Sequence, residues 1–102
     1  MGLKSGYTSV YTTRAETDLV DSFAWYEMQR KGLGRQFVDS VKSSIAALEQ
    51  NPEICAVKNK SYSEAVVPIF PYVVVYRVNK RKKIVRIFRV FHTSQNPKKK
   101  YG

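Results

Sequence analysis

Outside its basic turn, the largely apolar ribbon running from Phe70 to His92, FPYVVVYRVNKRKKIVRIFRVFH, carries three arginines and a histidine: Arg77, Arg86, Arg89 and His92. Arginine forks meet phosphates or carboxylates, and a histidine can trade a proton near neutral pH. Chemistry open to such a set is cleavage of RNA through its own 2′-hydroxyl. That reaction needs a base for the hydroxyl proton, an acid for the leaving oxygen and a cation for the charge growing on phosphorus. Glu49, Glu53 or Glu64 could supply a carboxylate. The bland alternatives are an arginine that ties strand to helix or holds the C-terminal tail, and a hydrogen-bonded histidine at a strand end, the commoner role for a lone one. One His, one Cys and dispersed acids make no metal-ligand cluster, so no metal and no cofactor are expected.

The ribbon itself reads as a long β-hairpin. Tyr72 to Val78 is β-branched and aromatic, Pro71 opens it where no ladder donor is lost, Asn79 to Lys82 make a polar turn, and Lys83 to Phe91 return. Consecutive apolar residues, Val73 to Val75 and Ile87-Phe88, predict burial on both faces and a central place in a sheet. Upstream, Tyr7 to Thr13 alternates as a half-buried strand. Thr13 and Glu16 have the spacing of a capping box, after which Ala15, Leu19, Phe23 and Tyr26 trace one helical face, with Trp25 at the edge of the core. Gly32 suits a left-handed cap, and the period restarts with Leu33, Phe37, Val41, Ile45 and Leu48 until Asn51-Pro52 ends it. Tyr62 to Val67 can form a further strand. The order βααβββ predicts an α+β domain, a helical hairpin on one face of a mainly antiparallel four-stranded sheet with the other face open; it leaves the position of the first strand undetermined.

At 102 residues the chain is expected to be a single domain with two layers, its residues 93–102 lacking any apolar period and expected to be mobile unless docked. No apolar run is long enough for a signal peptide or membrane helix, and lone Cys55 reads as a small buried hydrophobe, so a reducing cytoplasm is the default location. The net charge of +10 is unevenly spread: residues 1–64 hold eight Lys/Arg and all eight Asp/Glu, while residues 65–102 hold ten bases and no acid. A basic half of this kind attracts phosphate backbones or an acidic protein partner, and a solvated basic surface is the plainer alternative.

The element order, together with Ala15, Asp18-Leu19, Phe37, Ile45, Leu48, Pro52, Phe70-Pro71-Tyr72, Tyr76-Arg77-Val78, His92 and Asn96-Pro97, resembles the ParE/RelE superfamily of toxins from bacterial type II toxin–antitoxin modules. His92 followed by Asn96-Pro97 is most similar to the ParE, or plasmid-stabilisation, branch. That resemblance implies a growth-arresting toxin that inhibits DNA gyrase without chemistry of its own and is neutralised by a ParD-like antitoxin, whose acidic segment would fold on the toxin. Arg86, Arg89, Lys98, Lys99 and Lys100 are then the expected target-binding residues. The RelE branch instead cleaves messenger RNA on the ribosome. For that activity Arg77 resembles the strand arginine at the phosphate, His92 the histidine of YoeB-like members, and Lys58 and Lys60, with Tyr62, the supporting residues. In YoeB-like nucleases a tyrosine follows the histidine, whereas Thr93 stands here, which favours the ParE branch. A basic nucleic-acid-binding module is the third expectation, resting on charge alone.

Overall fold

Every stretch expected to be a strand or helix forms one, within a residue or two, in the computed structural model, which describes residues 6–55, 57–59 and 62–95, with only the backbone of Lys58 and Asn59. The elements are β1 (Thr8–Tyr11), α1 (Thr13–Gln29), α2 (Leu33–Gln50), β2 (Val57–Asn59), β3 (Tyr62–Val66), β4 (Tyr72–Asn79) and β5 (Ile84–His92). The sheet order is β1-β5-β4-β3-β2, with β1 parallel to β5 and the remaining pairs antiparallel. The four expected strands are joined by β2, a three-residue edge strand in irregular register with β3. Among the described residues no helix is long and apolar enough to cross a membrane.

The start of α1 differs from the expected capping box. Thr12, not Thr13, is the N-cap: its Oγ1 accepts from the Ala15 N–H at 3.1 Å and donates to the Phe88 carbonyl at 3.1 Å. The reason lies in the sheet, because the Thr12 N–H donates to the Ile87 carbonyl at 3.0 Å and so holds Thr12 in the extended conformation an N-cap requires. Between the helices Gly32 takes a left-handed φ of 91°. The Glu27 carboxylate accepts from the Gly32 and Gly34 N–H groups at 2.9 Å each, so an acid of α1 satisfies the orphan donors at the start of α2. Gly34 lies where the helices touch; a Cβ there would sit 2.6 Å from the Phe23 carbonyl oxygen.

The apolar stripe of α2, Phe37, Val41, Ile45 and Leu48, is buried against Tyr72, Val74 and Tyr76 of β4 and Val85, Ile87 and Val90 of β5. Phe37 is the hub, with ring centroids 4.7 Å from Tyr72, 5.2 Å from Tyr26 and 5.3 Å from Phe70. The α1 stripe was only partly foreseen: Ala15 and Tyr26 are buried, whereas Phe23 is 38 % and Trp25 57 % exposed. Trp25 is therefore a surface residue rather than a core edge, since one helical step from Tyr26 turns it about 100° away from the sheet. On the sheet face away from the helices, Val75 and Phe91 are also buried, while Arg77 and Arg86 nearer the hairpin tip are exposed.

Tyr76 crosses the core, and its hydroxyl donates to the Pro52 carbonyl at 3.3 Å, fastening the end of α2 to β4. Burial, then a hydrogen bond with Cys55, pushes its ionisation well above the ordinary tyrosine range. Because the folded value lies above the unfolded one, the native state keeps the proton longer. Its contribution to stability is full below about pH 10 and is lost as pH rises further. Tyr11 and Tyr26 are raised in the same direction by burial. Tyr76→Phe is expected to cost about 0.5–1.5 kcal/mol near pH 8 and to flatten part of the alkaline loss; urea unfolding at pH 8 and 10.5 measures both.

Candidate functional site

The β4–β5 hairpin carries the candidate residues in two separate groups. Arg77 and Arg86 are cross-strand partners, so their side chains share a face. The Arg77 guanidinium carbon lies 4.2 Å from the centroid of Tyr62 on β3 and 5.7 Å from that of Phe88, and these two rings meet edge to face at 5.1 Å. Tyr62 and Arg77 are thus brought together on one face of the sheet. This is the face away from the helices, because the neighbouring Tyr76 points into the helix-side core.

His92 belongs to the other group. Its cross-strand partner is Tyr72, a helix-side core residue whose ring centroid is 5.0 Å from the imidazole. Nδ1 accepts the Ser94 N–H at 3.0 Å, with Ser94 Oγ at 2.7 Å, so in the neutral ring the proton sits on Nε2. Trp25 and Tyr26 of α1, Pro71, Tyr72, His92 and Gln95 border a shallow hollow of about 490 Å³. Arg77 and His92 therefore lie on opposite faces, and Arg77 is five residue steps along β4 from Tyr72, roughly 16 Å of strand.

Arg89 departs from its expected role. It is 9 % exposed, and its Nε and Nη2 donate to the two Asp18 carboxylate oxygens at 2.8 and 3.2 Å. Asp18 Oδ2 also accepts the Val90 N–H at 2.9 Å. The physical reason is that β1 pairs with β5 only as far as Ile87, and Asp18 closes the strand edge that β1 leaves beyond it. Arg89 is thus committed to the fold instead of standing with Arg86 on the basic surface. Asp18 lies three residues after Ala15 and one before Leu19, on the inward side of α1, and that position was the signal for a tertiary role.

Lys60, Lys98, Lys99 and Lys100 lie outside the described residues, and of Lys58 only the backbone position in β2 is given. Among the carboxylates, Glu49 accepts from the Ser9 N–H and hydroxyl at 3.2 and 2.5 Å, and Glu53 pairs with Lys80 at 2.6 Å. That pair raises the ionisation of Lys80 through the hydrogen bond and charge of Glu53. Glu64 of β3 sits opposite Val75, on the Arg77 side of the sheet. Among the described residues no group of three His, Cys, Asp or Glu is arranged to hold a metal ion. Cys55 is half-buried, in line with a packing role.

Comparison with known proteins matches residues 10–97 to the family described as the ParE toxin of the type II toxin–antitoxin system parDE. No curated protein matches the chain. Among solved structures, the chromosomal ParDE toxin–antitoxin system from P. aeruginosa is similar with a TM-score of 0.75 and 16 % identity, covering 89 % of this chain and 100 % of that one. The RelBE2 toxin–antitoxin complex from Mycobacterium tuberculosis is similar with a TM-score of 0.62 and 23 % identity, covering 85 % of this chain and 98 % of that one. At such identities the likeness is one of fold, and the fold spans both ParE- and RelE-type proteins.

Proposed function

Because the chain belongs to the ParE toxin family of type II toxin–antitoxin systems, we propose that it arrests growth by binding and inhibiting DNA gyrase, with no covalent chemistry of its own. The separation of Arg77 from His92 carries this reading. A ribonuclease needs its phosphate-binding cation and its acid or base within hydrogen-bond reach of one scissile group, and roughly 16 Å of strand and the sheet itself lie between these two. Thr93 in place of a tyrosine after His92 supports the same side. The contact surfaces are the outer side of the helical hairpin, where Val20, Trp25 and Met28 are 65 %, 57 % and 84 % exposed, and the basic strand face with Arg86. Lys98, Lys99 and Lys100 extend that basic character in sequence.

A cognate ParD-like antitoxin completes the proposal. The surplus of +10 suits an acidic segment that folds on binding, and the similar structures named above are toxin–antitoxin systems. In a supercoiling assay, purified protein is expected to inhibit gyrase at modest molar excess, and folded Arg77→Ala and His92→Ala variants are expected to stay toxic. Supercoiling left untouched at high excess would overturn the proposal. Codon-positioned transcript cleavage that disappears in those two variants would move the protein to the ribonuclease branch.

A further inference from the structure

Near the tip of the β4–β5 hairpin, on the face away from the helices, the surface sinks into a hollow of about 430 Å³. Arg77, Lys80, Lys82 and Arg86 stand around it, Phe88 forms part of its lining, and none of its lining residues is acidic. Arg77 and Arg86 are cross-strand partners, so two guanidinium groups are presented on the same face beside the turn lysines. The Arg77 fork is held in advance over the rings of Tyr62 and Phe88, so it loses less freedom on taking a ligand than a solvated arginine would. Lys82 is held at the turn by its N–H, which donates to Asn79 Oδ1 at 3.0 Å. The Lys80–Glu53 pair is solvent-exposed, with side chains 72 % and 59 % accessible, and can be exchanged for another anion at little cost.

We infer that this hollow is a binding site for the phosphodiester backbone of nucleic acid, held without cleavage. Four cations beside two half-buried aromatic rings match what a polynucleotide presents, phosphates for the forks and ammoniums and bases for the rings. An acidic peptide would use the cations and leave the rings without a counterpart. The site shares Arg86 with the surface proposed to meet gyrase, but oligonucleotide binding is read without gyrase present, so either reading can fail while the other stands.

The test is fluorescence anisotropy of the full chain with labelled single-stranded and duplex 20-mers over a salt series. Arg86→Ala combined with Lys82→Ala is compared with Lys31→Ala combined with Lys42→Ala, a control that removes the same charge from exposed positions of the helical hairpin. The hollow variant is expected to lose about tenfold or more in affinity and to flatten the salt slope by about 1.4 for a single strand or 1.8 for duplex, with the control largely unchanged. Preference for one strand form identifies the source of the phosphates and supports the site in either case. Equal losses in the two double variants, or no binding by either oligonucleotide, would overturn it. So would polyglutamate displacing the oligonucleotide at equal charge concentration, which would make the hollow a seat for an acidic protein segment.

Discussion

Asp18→Ala is expected to destabilise the protein by about 3–5 kcal/mol, because it removes the carboxylate that two guanidinium nitrogens of buried Arg89 and a strand-edge N–H share. The Arg89 and Asp18 side chains are 11 % and 15 % accessible, so the guanidinium has little water to fall back on, and Val90 N–H loses its only described acceptor. Removing both charges is a different matter. Asp18→Leu with Arg89→Met replaces the pair by apolar groups of similar volume and should recover most of the loss, leaving the cost of the unpaired Val90 N–H, about 1–3 kcal/mol. Urea unfolding of the two variants measures this, and a single-variant loss under about 1 kcal/mol would mean that the pair is solvent-screened and dispensable. Since the pair is buried, added salt should change the result little.

Phe37→Ala should cost a similar amount, about 3–5 kcal/mol, through the cavity it opens between α2 and the sheet. Phe37 is fully buried and touches Tyr26, Phe70 and Tyr72, rings that come from α1, the turn before β4, and β4 itself, so collapse around the void would have to shift several elements at once. Phe37→Leu keeps most of the volume and is expected to cost under about 1.5 kcal/mol, which preserves a folded variant for measurement. The contrast is Trp25→Ala. Its indole is 57 % exposed and meets Tyr26 edge to face at 5.0 Å, so thermal unfolding should register under about 1.5 kcal/mol. Comparable losses at positions 25 and 37 would refute the assignment of Phe37 as the hub.

The α2 stripe was legible because Phe37, Val41, Ile45 and Leu48 recur with the helical period, and period is a local property of the chain. The same holds for Tyr72 to Val78, whose β-branched and aromatic content leaves few alternatives to strand. Arg89 shows where local pattern stops. Unbroken alternation would send it inward with Val85 and Ile87, but a register irregularity between Val75 and Tyr76, opposite Phe88, shifts the phase and Val90 enters the core instead. That shift leaves Arg89 at the strand edge for Asp18, 71 residues earlier in the chain. Thr12 is a second case: Thr13 had the better spacing for a capping box, yet the bond from Thr12 to Ile87 decided which threonine was extended.

Alone, the amino-acid sequence determined six of the seven elements and their order, the two-layer α+β class, and the concentration of ten bases without an acid in residues 65–102. These follow from propensity, period and composition, which need no knowledge of distant neighbours. Only the tertiary structure decided that β1 lies parallel beside β5, that Arg89 is consumed by Asp18 while Arg77 and Arg86 stay on the surface, and that His92 faces away from Arg77. Those outcomes depend on strand register and on which edge a short strand leaves uncovered. Both are set by contacts between residues far apart in the chain, where one step of register carries a side chain from one face of the sheet to the other.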